Sequence, residues 1–260
     1  MMQPRTTGNQ SGEKLLNVLE FIILKGEPQR LQDIANELSM NKSTTLRFLK
    51  TLVNTGYINQ NPETSKYAAT YKICALANKV NLYTELRKIA RPYLEQLAKI
   101  FGESVNMAVE DQMTSVYVDV IRGSSQSLVT VQKIGNAAPM HCTGNGKVLL
   151  LNYTDEDLDR LIEVKGLTKY TEYTLTTKEA LRAELEKIRK RGYAYDEQER
   201  EVGARCLAFP IYGDNGKVIA GMSVTGPQNR MTDEVLLPKL EEFRKITLEI
   251  SHRMGYQVFE

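Results

Sequence analysis

The sequence contains no tryptophan, few cysteines and no long apolar run. Its three cysteines, at positions 74, 142 and 206, are too far apart to indicate a disulfide framework, and they favour a reducing compartment. No apolar stretch approaches the ~18 residues of a membrane span, and the first residues lack a secretory signal pattern. We therefore expect a cytoplasmic protein with no membrane partner.

The chain also has little net charge, +2 overall, but that charge is unevenly distributed. Residues 1–80 contain ten Lys and Arg against six Asp and Glu, whereas residues 81–260 contain 24 against 26. A basic head on a mildly acidic body fits one nucleic-acid-binding module attached to a second domain. A length of 260 residues is sufficient for two domains with separate cores.

Residues 31–58 form the most informative stretch, because two short helical patterns are joined there by a polar turn. Apolar residues at helical spacing mark the inner faces: Leu31, Ile34, Ala35 and Leu38, then Leu46, Leu49, Leu52 and Val53. The second helix, from about Asn41 to Asn54, carries polar and cationic side chains opposite its apolar face. Such a surface suits phosphates and base edges. The alternative is an ordinary helical hairpin with a solvated face.

The following residues favour a winged helix-turn-helix over a plain hairpin. Gly56 ends the second helix, and residues 57–60 and 66–70 read as two short strands around an Asn-Pro turn. An apolar pattern at residues 15–23 supplies a first helix. The predicted DNA-contacting residues are Asn41, Lys42, Ser43, Thr44, Thr45, Arg47, Lys50, Lys66 and Tyr67.

The patterns divide the chain into four segments. We expect a flexible tail at 1–12, the winged domain at 13–76, a linker helix at 77–91 and an effector-binding domain at 92–260. The last segment alternates between strand patterns (104–109, 115–120, 128–131, 193–195, 206–211 and 218–225) and helical ones (93–101, 143–151, 177–191 and 232–254). A DNG turn at 214–216 predicts a hairpin. The expected fold class is α+β, with a GAF- or PAS-like sensor of mixed sheet and helices.

Three motifs in order resemble the IclR family of bacterial transcription regulators over almost the whole chain. They are NKSTTLRFLKTLVNTGYI from residue 41, PMHCTGNGKVLL at 139–150 and RGYAYDEQEREVGARCLAFPIYGDNGKVIAGMSVTGP at 191–227. The resemblance implies a sequence-specific DNA-binding protein that is dimeric or tetrameric. It also implies a carboxy-terminal domain that binds a small carboxylic acid, with sugar acids suggested by the tail sequence EISHRMGY.

The family's effector-contacting positions correspond here to Gly144, Asn145, Asp196, Cys206, Ser223 and Thr225. Independently of the resemblance, the glycine-rich start of the helix at residue 143 offers backbone N–H groups to an anion. The family often has Ala where Asn145 stands and Ser where Thr225 stands, so the identity of the ligand does not transfer. Two hydroxyls satisfied within the strand, and a small buried Cys206, are the structural alternatives.

Catalytic and metal-binding interpretations have less support. Cys206 could be a nucleophile near Asp196 with His141 as its base, and His141, Cys142 and Cys206 could hold a metal. The sequence lacks a short-spaced ligand pair, a P-loop and a dinucleotide fingerprint, so we expect neither catalysis nor a cofactor.

The predicted function is therefore that of an allosteric regulator, more often a repressor in this family, of catabolic genes. A symmetric dimer would bind a pseudo-palindromic operator in double-stranded DNA. The alternative is a small-molecule-binding protein or enzyme whose winged head contacts another protein.

Overall fold

A computed structural model of the chain describes residues 9–77, 83–124 and 132–257. The chain forms two compact units, residues 1–82 and residues 83–260, and this division falls within the segment predicted as a linker helix. Within the described ranges, no helix has the length and apolar character needed to cross a membrane. The predicted strand at 128–131 lies outside the described residues.

The first unit is a three-helix core followed by a small antiparallel ribbon, as predicted. Its elements are α1 (Gln10–Lys25), α2 (Leu31–Glu37), α3 (Lys42–Asn54), β1 (Ile58–Gln60), β2 (Tyr67–Ala69) and α4 (Lys72–Ala77). The side chains of Val18, Ile34 and Leu49, from the three helices, are fully buried against one another. The β1–β2 ribbon is held to the core because Gln29 and Tyr67 exchange backbone hydrogen bonds of 2.9 and 2.8 Å.

Two predicted boundaries differ from the structure. Helix α1 begins at Gln10 with Asn9 as its N-cap, so residues 10–12 are helical and do not belong to a tail. For the linker helix predicted at 77–91, the described residues show a boundary at Tyr83, which has a left-handed backbone and is the N-cap of the next helix. A new helix, α5 (Thr84–Phe101), starts there and continues through Pro92. Its buried face packs on the sheet of the second unit, which offsets the hydrogen bond that proline removes.

The second unit is an antiparallel sheet with helices on both faces, which confirms the α+β prediction. Its strands are β3 (Ser104–Asp111), β4 (Thr114–Ile121), β5 (Ala137–Ala138), β6 (Ala194–Glu197), β7 (Ala204–Tyr212) and β8 (Val218–Pro227). They pair in the order β5-β4-β3-β8-β7-β6. The other helices are α6 (Gly144–Leu149), α7 (Asp155–Lys165), α8 (Lys178–Arg191), α9 (Asp233–Leu236) and α10 (Leu240–Arg253).

Strand alternation gives the sheet two different faces. Val105, Leu207 and Val224 point to one face, where α5 and α10 cover them in a continuous apolar core. The residues between them point to the other face, where α6, α7 and α8 pack in a second core. Hydroxyl and amide groups are concentrated on this second face, and it holds the predicted site.

Several sequence-based assignments in this unit are confirmed and others are wrong. The DNG turn at 214–216 joins β7 to β8 as a hairpin, and Thr143 and Thr177 cap α6 and α8. Helix α7 and strand β5 were not predicted from the sequence. The single helix predicted at 232–254 is interrupted after Leu236 by a short 3₁₀ turn that contains Pro238. A proline at that point favours a break, since it cannot donate to the helical ladder.

The close seating of α6 requires Gly146. A Cβ atom at this position would lie 2.4 Å from both the Cα and the carbonyl oxygen of Met140, and backbone atoms cannot move aside as a side chain can. The glycine therefore fixes how closely the loop before α6 can fold back on the helix.

We expect Gly146→Ala to destabilise the second unit by ~1–3 kcal/mol or more, because overpacking forces the backbone to shift. For a domain of this size that lowers the melting temperature by roughly 3–10 °C. Gly12→Ala in α1 is the matched control, since its Cβ would meet only Asn9 at an ordinary 3.5 Å. Equal melting temperatures for the Gly146→Ala protein and wild type would contradict the packing described.

Candidate effector cavity and DNA-binding surface

A cavity of about 410 Å³ opens on the second face of the sheet, at the amino-terminal end of α6. All six residues predicted to contact an effector line it: Gly144, Asn145, Asp196, Cys206, Ser223 and Thr225. They come from four separate elements of the chain. The fold thus brings them together around one space.

Strand register explains this convergence. Asp196 pairs with Cys206 across β6 and β7, and Cys206 pairs with Thr225 across β7 and β8. Ser223 lies two residues before Thr225 and so shares its face. Helix α6 completes the cavity wall and packs closely on β7. A Cβ atom on Gly144 would lie 2.9 Å from the Cys206 sulfur. Only glycine permits this approach.

Asp196 is the most perturbed acid of the cavity wall. Its Oδ1 accepts hydrogen bonds from the backbone N–H groups of Glu199 (2.8 Å) and Arg200 (3.4 Å). Burial, followed by the nearby Glu199 carboxylate, raises its pKa to about 7, although Lys147 and the two N–H groups act in the opposite direction. Near neutral pH this carboxyl group therefore exists in both protonation states.

A buried ion pair that was not predicted from the sequence lies beside Asp196. The Lys147 side chain is 1% exposed, and its ammonium donates to the Glu199 carboxylate. Burial raises the pKa of Glu199, and Lys147 opposes that shift. The loop that carries Glu199 is held in place by Thr174, whose hydroxyl donates to the Glu199 carbonyl oxygen at 2.6 Å. A lysine in a glycine-rich, otherwise apolar helix was the only available signal.

The cysteines have the properties of structural thiols. Burial, reinforced by Asp196, raises the pKa of Cys206 to about 12, and hydrogen bonds from Thr225 and Ser223 only partly offset this. Burial likewise raises the pKa of Cys142 to about 12. A thiol with such a pKa is neutral at physiological pH and is a poor nucleophile.

His141 is occupied elsewhere. Its Nε2 lies 3.1 Å from the carbonyl oxygen of Thr168, and burial lowers its pKa. His141 lines a neighbouring cavity of about 310 Å³. In the part of the chain that the structure describes, no three His, Cys, Asp or Glu residues are grouped so that they could hold a metal ion.

Several residues of the cavity wall were not predicted from the sequence, notably Tyr117, Gln132 and Arg200. Tyr117 is buried on β4, where strand alternation could have indicated its direction. Arg200 lies in the turn after β6 with its guanidinium 4.0 Å from the centre of the Tyr170 ring. Among the described residues of this wall, Arg200 carries the only cationic side chain. No local pattern pointed to it.

In the first unit, α3 has the exposed polar face expected of a recognition helix. The Asn41 side chain caps it by accepting from the Thr44 N–H at 2.8 Å. The side chains of Lys42, Ser43, Arg47 and Lys50 are exposed, and Thr44 and Lys66 are partly exposed.

Two predicted DNA contacts are wrong. Thr45 is fully buried, and its hydroxyl donates to the Asn41 carbonyl oxygen. Tyr67 is 4% exposed and belongs to the core. Thr45 stands four residues before Leu49, which places it on the apolar face, and Phe48 is a further core residue that was not predicted from the sequence.

A winged helix-turn-helix unit followed by a sensor unit with a formed cavity defines the class of ligand-responsive transcription regulators. Residues 11–62 match the IclR helix-turn-helix domain, and residues 79–252 match the family described as bacterial transcriptional regulator IclR C-terminal. The chain belongs to the IclR family.

Named relatives agree with this assignment. The HTH-type transcriptional regulator XynR of Escherichia coli is 32% identical over 95% of this chain and 98% of its own length. The transcriptional repressor IclR of the same organism is 32% identical over 89% and 85%. The Thermotoga maritima IclR crystal structure superposes with a TM-score of 0.83 at 29% identity, over 96% of this chain and all of that one. An IclR homolog from Microbacterium hydrocarbonoxydans, complexed with 4-hydroxybenzoate, shares the fold (TM-score 0.80, 22% identity, 94% and 99% covered).

The raised pKa of Asp196 predicts a pH-dependent effect of its replacement. The folded state holds this proton up to about pH 7, whereas the unfolded chain releases it near 3.8. The contribution of this protonated carboxyl group to the free energy of unfolding is therefore complete below about pH 4 and is lost as the pH rises to about 7. Asp196→Asn, which cannot ionise, should melt several degrees above wild type at about pH 8 and close to it at about pH 4.

Melting curves at the two pH values would check this, with Asp214→Asn in the exposed 214–216 turn as the control. A difference from wild type that is the same at both pH values would show that Asp196 ionises normally.

Proposed function

We propose that this chain represses catabolic genes by binding a pseudo-palindromic operator, and that a small carboxylic acid in the cavity releases it. The observation that carries the proposal is the cavity, whose wall combines the six converging residues with one arginine. Its volume of about 410 Å³ falls within the ~300–1,000 Å³ of small-molecule sites. Guanidinium groups bind carboxylates in a planar, two-point geometry.

Arg200 supports the choice of a carboxylate more strongly than the helix start does. Helix α6 has only six residues, and the Thr143 hydroxyl already accepts from the Gly146 N–H at 3.2 Å. Asp196 favours an acid as well, since its neutral form can donate a hydrogen bond to a carboxylate oxygen. The fold neighbour crystallised with 4-hydroxybenzoate is consistent with an acid of this size.

For the DNA side, we assign Arg47 and Ser43 to base edges and Lys42, Lys50 and Lys66 to phosphates. A homodimer or tetramer would present two α3 helices to successive major grooves. We favour repression over activation because relatives such as the Escherichia coli IclR are named as repressors. The proposal gives Cys206 no catalytic role, since its thiol stays protonated at physiological pH.

Arg47→Ala should weaken operator binding by roughly 5- to 150-fold, the effect of losing one good base contact of ~1–3 kcal/mol. Fluorescence anisotropy with the DNA upstream of the protein's own gene measures this at fixed salt. Lys25→Ala in α1 removes one positive charge from the same unit and should leave the affinity within about twofold. Loss of affinity in both variants alike would point to a general charge effect and against our placement of the reading face.

A thermal-shift screen of the full chain against small carboxylates tests the effector. A ligand at 100 times its Kd adds about 2.7 kcal/mol of stability, or roughly 5–10 °C for a domain of this size. We expect a hit that also releases operator DNA, and we expect Arg200→Ala to reduce the shift for the same acid. If no carboxylate shifts the transition, the proposed effector class is wrong.

A further inference from the structure

Two grooves flank the amino-terminal end of α3 in the first unit. The first, which we call the turn groove, has a volume of about 260 Å³ and lies between α1 and the turn before α3, where Lys14, Asn17 and Thr44 line it. The second, the wing groove, has a volume of about 390 Å³ and lies between the starts of α2 and α3 and the turn of the β1–β2 ribbon. Arg30 and Lys42 line this groove. Neither Lys14 nor Arg30 belongs to the DNA contacts predicted from the sequence.

Both grooves are basic. Lys14, Arg30 and Lys42 are exposed, and no acidic side chain lines either groove among the residues that the structure describes. Within the described ranges, none of these three cations forms an ion pair with a carboxylate. Lys25 differs from them, because its ammonium lies 3.4 Å from the Glu37 carboxylate. The charge of the two grooves is therefore available to an anionic partner.

The helical period places the grooves on opposite sides of α3. Successive residues of a helix are rotated by ~100°, so Lys42 in the wing groove and Thr44 in the turn groove point ~160° apart around the axis. The exposed side chains of Ser43 and Arg47, which we assign to base edges, point into the sector between them. The base-reading face of α3 thus has one basic groove on each side.

The dimensions of DNA match this arrangement. A helix with its side chains is ~10–12 Å across, and the major groove is ~12 Å wide. A helix whose reading face meets the base edges therefore has one phosphate backbone on each side, and these two backbones belong to opposite strands. Lysine and arginine side chains beside a backbone replace its counterions, which favours binding at low salt.

We propose that Lys14 and Arg30 each bind a backbone phosphate, on opposite strands of the same operator half-site, and hold α3 in the major groove from both sides. The inference rests on the DNA binding in the proposed function. It adds α1 and the start of α2 to an interface otherwise formed by α3 and the ribbon. Because phosphates carry no sequence information, the two residues determine affinity and register and do not select bases.

Fluorescence anisotropy of the full chain tests the two contacts. Lys14→Ala and Arg30→Ala should each weaken binding by roughly 3- to 10-fold at about 0.1 M salt, because one phosphate contact contributes ~0.9 to the logarithmic salt slope. The loss should be the same for the DNA upstream of the protein's own gene and for a random-sequence duplex of equal length. Between about 50 and about 200 mM salt, the slope should fall by ~0.9 for each bound subunit, and twice as much in the double variant.

Lys25→Ala is the matched control for Lys14→Ala. It removes the same charge from the same helix, ~16 Å further along α1, and should keep the salt slope of wild type. All three side chains are exposed, and the Arg30 side chain makes no capping hydrogen bond to α2. We therefore expect unchanged melting temperatures, which separates lost contacts from lost folding.

Ethylation interference on the upstream DNA tests the assignment to strands. Ethylation neutralises single phosphates, and wild type should show interference on both strands that border each half-site. Lys14→Ala should no longer respond to ethylation of a phosphate on one strand, and Arg30→Ala should no longer respond to one on the other strand. Signals lost on the same strand in both variants would overturn the two-sided arrangement.

The remaining outcomes separate this inference from the proposed function. Salt slopes equal to that of Lys25→Ala overturn the phosphate contacts and leave base reading by α3 standing. An affinity loss confined to the upstream DNA also overturns them, since it would mean that the residues read bases. Wild type that binds both duplexes equally contradicts the operator proposal, while the slopes on random DNA still decide this inference. Binding to neither duplex at any salt concentration overturns both.

Discussion

The seating of a six-residue helix on the sheet is the constraint on which the second unit depends. Helix α6 lies so close to β7 and β8 that Gly144 and Gly221 stand at the contact, and Gly146 lets the loop before the helix fold back on it. The contact places the start of the helix in the cavity wall and turns its fourth residue, Lys147, into the protein interior. The site and the buried charge are thus consequences of one packing arrangement.

The buried charge in turn shapes the electrostatics of the cavity. Lys147 is 1% exposed, and a charged group buried so deeply is costly unless it is paired, as it is here with Glu199. The loop that brings Glu199 to the lysine also carries Arg200 and folds its backbone onto Asp196. As a result the carboxyl of Asp196 is held away from water beside a second acid, and its pKa rises to about 7. An acidic wall that is easily protonated is less repulsive to an anionic ligand than two ionised carboxylates would be.

The predictions from sequence succeeded where one local pattern determined the structure. The capped, amphipathic α3 and the β7–β8 hairpin both have strong signals within about a dozen residues. The predictions failed where a side chain was compatible with either face. Thr45 is small and polar, and only its spacing to Leu49 shows that it belongs inside. Tyr67 has both an apolar ring and a hydroxyl, and the backbone pairing with Gln29 decides that it is buried.

By itself, the sequence determined the winged helix-turn-helix, the α+β character of the second unit and, through resemblance to a family, the six residues of the cavity. These follow from hydrophobic period, turn chemistry and motif order, all of which are local or carried by homology. Only the tertiary structure decided that Lys147 pairs with Glu199, that Arg200 joins the wall and that both polar atoms of Asn145 have no hydrogen-bond partner among the described residues. Each of these depends on atoms that are distant in the chain, and burial and pairing energies exist only once those atoms meet.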